Sequence, residues 1–123
     1  MQTVLVVDDE KGVRLVLSRM LNRLDYQALL AESGFEAVEI FSGRPREIDC
    51  VIVDLTMAGM DGEATLRALH EVRADVRVLL ASGYSEQEMA LQYAGAGFAG
   101  FIEKPFTIAA LKQKLDDVLK SPV

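Results

Sequence analysis

The sequence has one cysteine, few basic residues and no long hydrophobic run, and each shortage excludes a class of protein. The single cysteine, Cys50, permits neither an internal disulfide nor an all-cysteine metal site, and we expect it to lie reduced in the core. With 13 Lys and Arg against 19 Asp and Glu, the net charge is −6, which disfavours direct binding to nucleic acid. No apolar run approaches the roughly 20 residues that span a bilayer. The N-terminal residues also lack the pattern of a signal peptide, so we expect a cytoplasmic protein that does not enter the membrane by itself.

The composition indicates one globular domain. Of the 123 residues, 50% are hydrophobic and 26% are charged. Domains usually contain about 150 residues, and neither a linker nor a low-complexity segment interrupts this chain. We therefore predict a single domain over residues 1–123.

Five short apolar runs alternate with five helical patterns. The runs predict strands at Thr3–Val7, Tyr26–Ala31, Cys50–Val53, Val76–Ala81 and Gly100–Ile102. The first helix is predicted to bury one apolar face, formed by Val13, Val16, Leu17, Met20, Leu21 and Leu24. Continuous apolar strands separated by helices indicate a parallel sheet covered on both sides. The prediction is a doubly wound α/β sandwich with strand order 2-1-3-4-5.

Polar residues stand at the carboxyl ends of four predicted strands. Asp8 and Asp9 follow strand 1, Asp54 follows strand 3, Ser82 follows strand 4 and Lys104 follows strand 5. In sheets of this order, ligands bind beyond the carboxyl ends of the strands, where strands 1 and 3 are neighbours. We therefore expect these side chains to meet at one site.

Three carboxylates with a lysine and a hydroxyl support phosphoryl transfer to an aspartate. Neighbouring carboxylates raise each other's pKa, and a divalent cation would relieve their repulsion. Oxygen ligands suit a hard cation such as Mg²⁺, or Mn²⁺ in its place. A carboxylate can then act as the nucleophile and form an acyl phosphate, while Lys104 and Ser82 contact the transferred group.

Each residue also has a simpler structural explanation. The acids after strand 1 could stabilise a helix N-terminus, and Asp54 could begin a turn. Ser82 could cap a local turn, Lys104 could be solvated, and Asp61 is expected in a turn. His70 is expected on the surface. These explanations do not account for an acid pair, an acid, a hydroxyl and a lysine at four strand ends.

Four motifs resemble those of response-regulator receiver domains. They are VLVVDDE at 4–10, VIVDLTMAGMDG at 51–62, LLASGYS at 79–85 and FIEKPF at 101–106. The resemblance covers the whole chain and implies a flavodoxin-like (βα)5 sandwich. It also implies that Asp54 accepts a phosphoryl group from a histidine kinase or a phosphotransfer protein.

The resemblance assigns roles to the remaining site residues. Asp8 and Asp9 match the acidic pair that holds Mg²⁺ together with Asp54 and the backbone carbonyl of Thr56. Lys104 matches the lysine that contacts the phosphoryl group, through a Lys104–Pro105 bond that is usually cis in this family.

A conformational switch is implied as well. Ser82 matches the hydroxyl that turns toward the phosphoryl group, and Phe101 stands at the aromatic switch position on strand 5. Phosphorylation is expected to shift an existing equilibrium and to change the affinity of the helix 4–strand 5–helix 5 face for a protein partner. A phosphorylation-dependent homodimer is one form that such a partner could take.

The sequence departs from the family pattern in three places. Ala58 stands where the family commonly has proline, which puts the rigidity of the loop after strand 3 in question. Phe101 lacks the hydroxyl of the tyrosine often found there. Thr56 and Tyr84 occupy positions that tune hydrolysis, and neither can position water strongly, so we expect slow to moderate self-dephosphorylation.

Several alternatives stay open at this point. The chain could be a stand-alone regulator or a receiver from a hybrid sensor histidine kinase, and ASGYSEQE and GFAGFIEKPF favour the latter. An aspartate-based phosphatase is disfavoured because its nucleophile motif has aspartates two residues apart, whereas Asp8 and Asp9 are adjacent. A flavodoxin-like cofactor binder is disfavoured because Asp8, Asp9 and Glu10 would repel phosphate. A docking receiver that is never phosphorylated would normally have lost one of the acids or the lysine.

Overall fold

The computed structural model describes residues 1–120 and confirms the predicted sandwich. The described residues form five strands, which are β1 (Thr3–Val7), β2 (Gln27–Ala31), β3 (Cys50–Asp54), β4 (Val78–Ser82) and β5 (Gly100–Glu103). They also form five helices, which are α1 (Lys11–Arg23), α2 (Gly34–Gly43), α3 (Gly62–Val72), α4 (Glu86–Tyr93) and α5 (Ile108–Lys120). All strand pairs are parallel, in the order β2-β1-β3-β4-β5. Residues 121–123 of the predicted domain lie outside the described residues.

Two apolar cores cover the two faces of the sheet, which explains why its central strands are apolar except at an end residue. Alternate β1 residues such as Leu5 and Val7 pack on one face, with Phe41 of α2, Leu66 of α3 and Met89 of α4. The intervening residues pack on the other face against α1 and α5. That second core contains Val4, Val6, Leu17, Leu21, Leu111 and Leu115. Cys50 is buried in it as a free thiol, as expected.

Two strands begin later than predicted, because the residues before them form hydrogen bonds outside the sheet. Tyr26 stands just before β2, because its N–H donates to the carbonyl of Leu21 at the end of α1. Val76 likewise precedes β4, because its N–H donates to Arg73 in the turn that follows α3. At the other end, β3 extends to Asp54, which pairs with Ala81 of β4.

Two sequence-based expectations about burial are wrong. Val16 was expected on the buried face of α1, yet 51% of it is exposed, because the apolar stripe of this helix is wider than the surface that covers it. His70 was expected on the surface but is half-buried. Its imidazole packs against Gly97, where the absence of a side chain leaves room for the ring.

Candidate functional site

The sheet brings the predicted site residues to one edge. The β1–β3 register pairs Val7 with Val53, so Asp8 and Asp54 follow aligned positions on neighbouring strands. Ser82 is the last residue of β4 and pairs with Glu103, directly before Lys104. The alignment follows from parallel pairing, which places all carboxyl ends of the strands at the same edge.

Lys104 links two of the three predicted acids. Its Nζ donates to Asp8 Oδ2 at 2.8 Å and to Asp54 Oδ1 at 2.9 Å. The Lys104 side chain is 22% exposed, that of Asp54 is 12% exposed and that of Asp8 is 3% exposed. The simpler explanation of a solvated lysine is therefore wrong. The Lys104–Pro105 peptide bond is cis.

Burial and charge work against each other at this cluster. Burial raises the pKa of the Asp54 carboxyl, the Lys104 hydrogen bond and charge oppose this rise, and the charges of Asp8 and Asp9 add to it. Burial alone would lower the pKa of Lys104, but its hydrogen bonds to Asp8 and Asp54 outweigh that effect, and its pKa is raised. Lys104 therefore stays charged at neutral pH, and the pKa of Asp54 lies above its usual value.

The acids after β1 fit a hard cation. Carboxylate oxygens of Asp8, Asp9 and Glu10 lie within 4.8 Å of one another. Glu10 is the N-cap residue of α1, yet among the described residues its side chain makes no capping hydrogen bond. Asp8 Oδ1 instead accepts a hydrogen bond from the Glu10 N–H at 2.9 Å. An all-oxygen set with two exposed members matches the preference of Mg²⁺ for few carboxylates and retained water.

The end of β4 is tied to the lysine. The Ser82 carbonyl accepts from the Lys104 backbone N–H at 2.7 Å. The Ser82 hydroxyl is buried and accepts from the Tyr84 N–H at 3.2 Å, which is the local turn that the simpler explanation expects. Thr56, from the loop after β3, and Tyr84, from the loop after β4, both line a cleft of about 250 Å³.

Contacts with α2 hold the loop after β3, where Ala58 replaces a proline. Gly59 has φ of +82°, and the Phe35 ring lies against its Cα. Met60 packs against Gly34 in the same way. At the end of this loop, the Asp61 side chain accepts from the Ala64 N–H at 2.8 Å and caps α3, which fits its expected place in a turn.

Phe101 belongs to a row of three aromatic rings. Its centroid lies 5.9 Å from that of Phe98, which lies 6.1 Å from that of Tyr93 in a T-shaped contact. Phe101 itself is partly buried against the core that β1 and α2 share. The row joins the end of α4 to β5 and so connects two parts of the predicted switch face.

Sequence reasoning missed two residues that support the site. Arg14 donates to the backbone carbonyl of Asp8 at 2.7 Å, and Phe98 stands between Tyr93 and Phe101. Phe98 follows a glycine-rich segment, where an aromatic residue is a weak signal. Arg14 shares α1 with other arginines, and a side-chain bond to a backbone carbonyl leaves no mark in the sequence.

Comparison with known proteins identifies the family of this chain. The family model of the response regulator receiver domain matches residues 4–116. The chain belongs to this family. Receiver domains are phosphoacceptors of two-component signalling and generally bind Mg²⁺ at an acidic pocket.

Relatives of this receiver include both parts of larger proteins and proteins of its own size. It is 36% identical over 118 residues to the sensor kinase CckA of Brucella abortus, covering 96% of this chain but 12% of that protein. It is 29% identical over 119 residues to sporulation initiation phosphotransferase F of Bacillus subtilis, covering 96% of this chain and 94% of that protein. Among solved structures, the Mg²⁺ and BeF complex of TrrA from Thermotoga maritima superposes with a TM-score of 0.84 at 30% identity, over 97% of this chain and 100% of that one.

Proposed function

We propose that this receiver takes a phosphoryl group from a phosphohistidine donor onto Asp54. The observation that carries the proposal is the single ammonium of Lys104 bound to both Asp8 and Asp54, next to the exposed acid Asp9. A carboxylate oxygen of Asp54 forms the new bond to phosphorus. The bond from phosphorus to the donor nitrogen breaks, and its electron pair stays on the imidazole of the donor.

Four oxygen donors of this chain are proposed to hold Mg²⁺. They are the carboxylates of Asp8, Asp9 and Asp54 and the backbone carbonyl of Thr56. When bound, the cation neutralises charge on the phosphoryl oxygens and on the acids. Lys104 supplies a second positive charge to the transferred group, and Ser82 supplies a hydroxyl. The Mg²⁺ bound by TrrA supports this assignment for the present chain.

Phosphorylation is proposed to act through Ser82 and Phe101. In the structure the Ser82 hydroxyl oxygen accepts from the Tyr84 N–H. A hydroxyl can accept one hydrogen bond and donate another, so we expect its O–H to turn toward a phosphoryl oxygen and donate to it. Phe101 responds from the neighbouring strand, and the face of α4, β5 and α5 then binds its protein partner differently. Lys114 of α5 and Glu86 of α4 form an ion pair across this face. A homodimer that forms only after phosphorylation would appear in size-exclusion chromatography.

The first test is the intact mass of the protein after incubation with acetyl phosphate. We expect one added phosphoryl group in the presence of Mg²⁺ and none after chelation by EDTA, because the acids repel an anionic donor without a cation. Phosphorylation that is unaffected by EDTA would contradict the proposed cation site. A folded protein that binds Mg²⁺ and gains no mass from either acetyl phosphate or a phosphorylated histidine protein would be a docking receiver.

An apolar groove beside Lys104 is the proposed docking surface for the phosphohistidine donor. This α1 groove has a volume of about 630 Å³, and its lining residues are Glu10, Gly12, Val13, Val16, Leu17, Met20, Lys104, Pro105 and Phe106. Half of the Val16 surface is exposed, and the groove is also lined by Lys104, which contacts Asp54. A helix of the donor placed in the groove would carry its phosphohistidine to the site.

Val16→Asp is expected to slow phosphotransfer from a protein donor at least about tenfold, because it puts a charge into an apolar contact. Phosphorylation by acetyl phosphate should stay unchanged, because this small donor does not need the groove. Val72→Asp is the matched control, since Val72 is also exposed but lies at the end of α3. Equal losses in both variants, or a loss with acetyl phosphate, would place the docking surface elsewhere.

Self-dephosphorylation is expected to be slow to moderate, since Thr56 and Tyr84, which line the same cleft, offer neither a carboxylate nor an amide to position water. Thr56→Asn should shorten the half-life severalfold by supplying an amide, as measured by the decay of the phosphorylated mass after removal of acetyl phosphate. A wild-type half-life of seconds would contradict this prediction.

We propose the hybrid-kinase setting for this receiver, supported by its 36% identity to CckA. The 94% coverage of sporulation initiation phosphotransferase F supports a stand-alone regulator as the second candidate. In either setting we place the activity in the cytoplasm, where kinases phosphorylate histidine from ATP. The coding sequence on both sides of the chain distinguishes the two settings.

A further inference from the structure

Arg14 connects α1 to the backbone of the acidic site. Its Nη1 donates to the Asp8 carbonyl at 2.7 Å, and its Nη2 lies 4.0 Å from Glu32 Oε2 in the segment after β2. The Arg14 side chain is only 14% exposed, although it starts from an otherwise solvated part of the helix. A planar guanidinium can serve two acceptors on different elements at once, which an ammonium on a flexible stem does less well.

Every polar group of Asp8 has a partner, and Arg14 supplies one of them. The Asp8 N–H donates to Ala31 at 3.1 Å, Oδ1 accepts from the Glu10 N–H, and Oδ2 accepts from Lys104. The carbonyl is satisfied by Arg14. Without the guanidinium, a carbonyl at a buried residue would lose a charge-assisted hydrogen bond, and the chain could relax toward water.

We propose that Arg14 is a positioning residue for the cation site, holding the main chain at Asp8 so that its carboxylate keeps its alignment. The inference rests on the proposed Mg²⁺ site and adds a residue that does not touch the cation. Groups that orient metal ligands typically change metal affinity about 10–100-fold when they are removed.

A purely electrostatic role and a positioning role of Arg14 predict opposite changes in Mg²⁺ affinity when this residue is replaced. Arg14 is a positive charge near a site for a positive ion, so removing the charge alone would tighten Mg²⁺ binding. Loss of the hydrogen bond to the Asp8 carbonyl would weaken it. The direction of the change therefore separates a positioning role from a purely electrostatic one.

The test is isothermal titration calorimetry with MgCl₂ on the full chain. Arg14→Met keeps an unbranched stem without the guanidinium and is expected to bind Mg²⁺ about tenfold more weakly than the wild type. Arg19→Met is the matched control, because Arg19 lies exposed on the same helix and the net charge changes equally. We expect its affinity to stay within about twofold of the wild type, since exposed charges are screened by salt.

Affinity equal to or tighter than that of the wild type in Arg14→Met would overturn the inference. So would an equal loss in Arg19→Met. A wild-type protein that does not bind Mg²⁺ would instead overturn the proposed function. If Arg14→Met fails to fold, Arg14→Lys serves in its place. Lysine keeps the charge, but its ammonium on a flexible stem holds the Asp8 carbonyl less firmly than the planar guanidinium does. We therefore expect an intermediate loss of about threefold, and no loss would overturn the inference.

Discussion

Asparagine in place of Asp54 is expected to abolish phosphorylation by acetyl phosphate completely. The amide is close in shape to the carboxylate, and its oxygen can still accept from Lys104, so the fold should be retained. The amide oxygen does not carry the charge that attacks phosphorus. Intact mass after incubation with acetyl phosphate and Mg²⁺ measures the result.

Asp61→Asn is the matched control for this experiment. Asp61 stands in the loop that follows Asp54, and its side chain caps α3. Asparagine caps helices as well as aspartate, so this variant should fold and gain a phosphoryl group like the wild type. A phosphorylated Asp54→Asn protein would show that another residue accepts the phosphoryl group.

Asp54→Asn is also expected to unfold at a higher temperature than the wild type when Mg²⁺ is absent. The pKa of Asp54 is raised by burial and by the charges of Asp8 and Asp9, so its ionised form destabilises the folded state at neutral pH. The neutral amide removes this repulsion. Differential scanning calorimetry in EDTA would measure it, and a lower melting temperature would contradict the interpretation.

Lys104→Met is expected to lower the free energy of unfolding by about 2–3 kcal/mol without Mg²⁺, because removing one partner leaves buried charges without compensation. The affected carboxylates are those of Asp8 and Asp54, both mostly buried. Urea unfolding measures the loss. Addition of Mg²⁺ should restore much of it, because a ligand that binds only the folded state stabilises it by an amount that grows with the logarithm of ligand concentration over Kd.

An exposed ion pair provides the control for the lysine variant. Lys112 pairs with Asp116 on α5, and its side chain is 60% exposed. Exposed pairs contribute up to about 1 kcal/mol, so Lys112→Met should cost less and respond little to Mg²⁺. Equal losses of unfolding free energy in the two variants, or no recovery of Lys104→Met stability by Mg²⁺, would contradict this interpretation. The ammonium and the cation would then not both compensate the buried carboxylates.

Most of the fold was predictable because the apolar runs of its strands and the apolar spacing of its helices are local sequence patterns. Runs such as Val4–Val7 are apolar throughout, and this pattern belongs to strands buried on both faces. The strand limits were less predictable, because a hydrogen bond to a helix end removes Tyr26 from β2 without changing its hydrophobicity. The exposure of Val16 depends on how wide a surface α1 covers, which its spacing does not encode.

The location of the candidate site was predictable from topology, but its contacts were not. Parallel pairing places every carboxyl end of a strand at one edge, so the residues after β1, β3, β4 and β5 could be grouped from the sequence. The bond from Lys104 to Asp8 joins residues 96 positions apart, and no local pattern specifies it. The role of Arg14 depends on a backbone acceptor and was invisible for that reason.

The position of β5 makes the site depend on a residue that comes late in the chain. This strand is the last in the sequence and stands at an edge of the sheet, yet it leads into the only ammonium that the described residues place between Asp8 and Asp54. A chain that stalls or is cut before residue 104 keeps the acids and lacks their counter-charge. Such a fragment therefore holds the carboxylates of Asp8 and Asp54 without the hydrogen bonds that Lys104 donates to them.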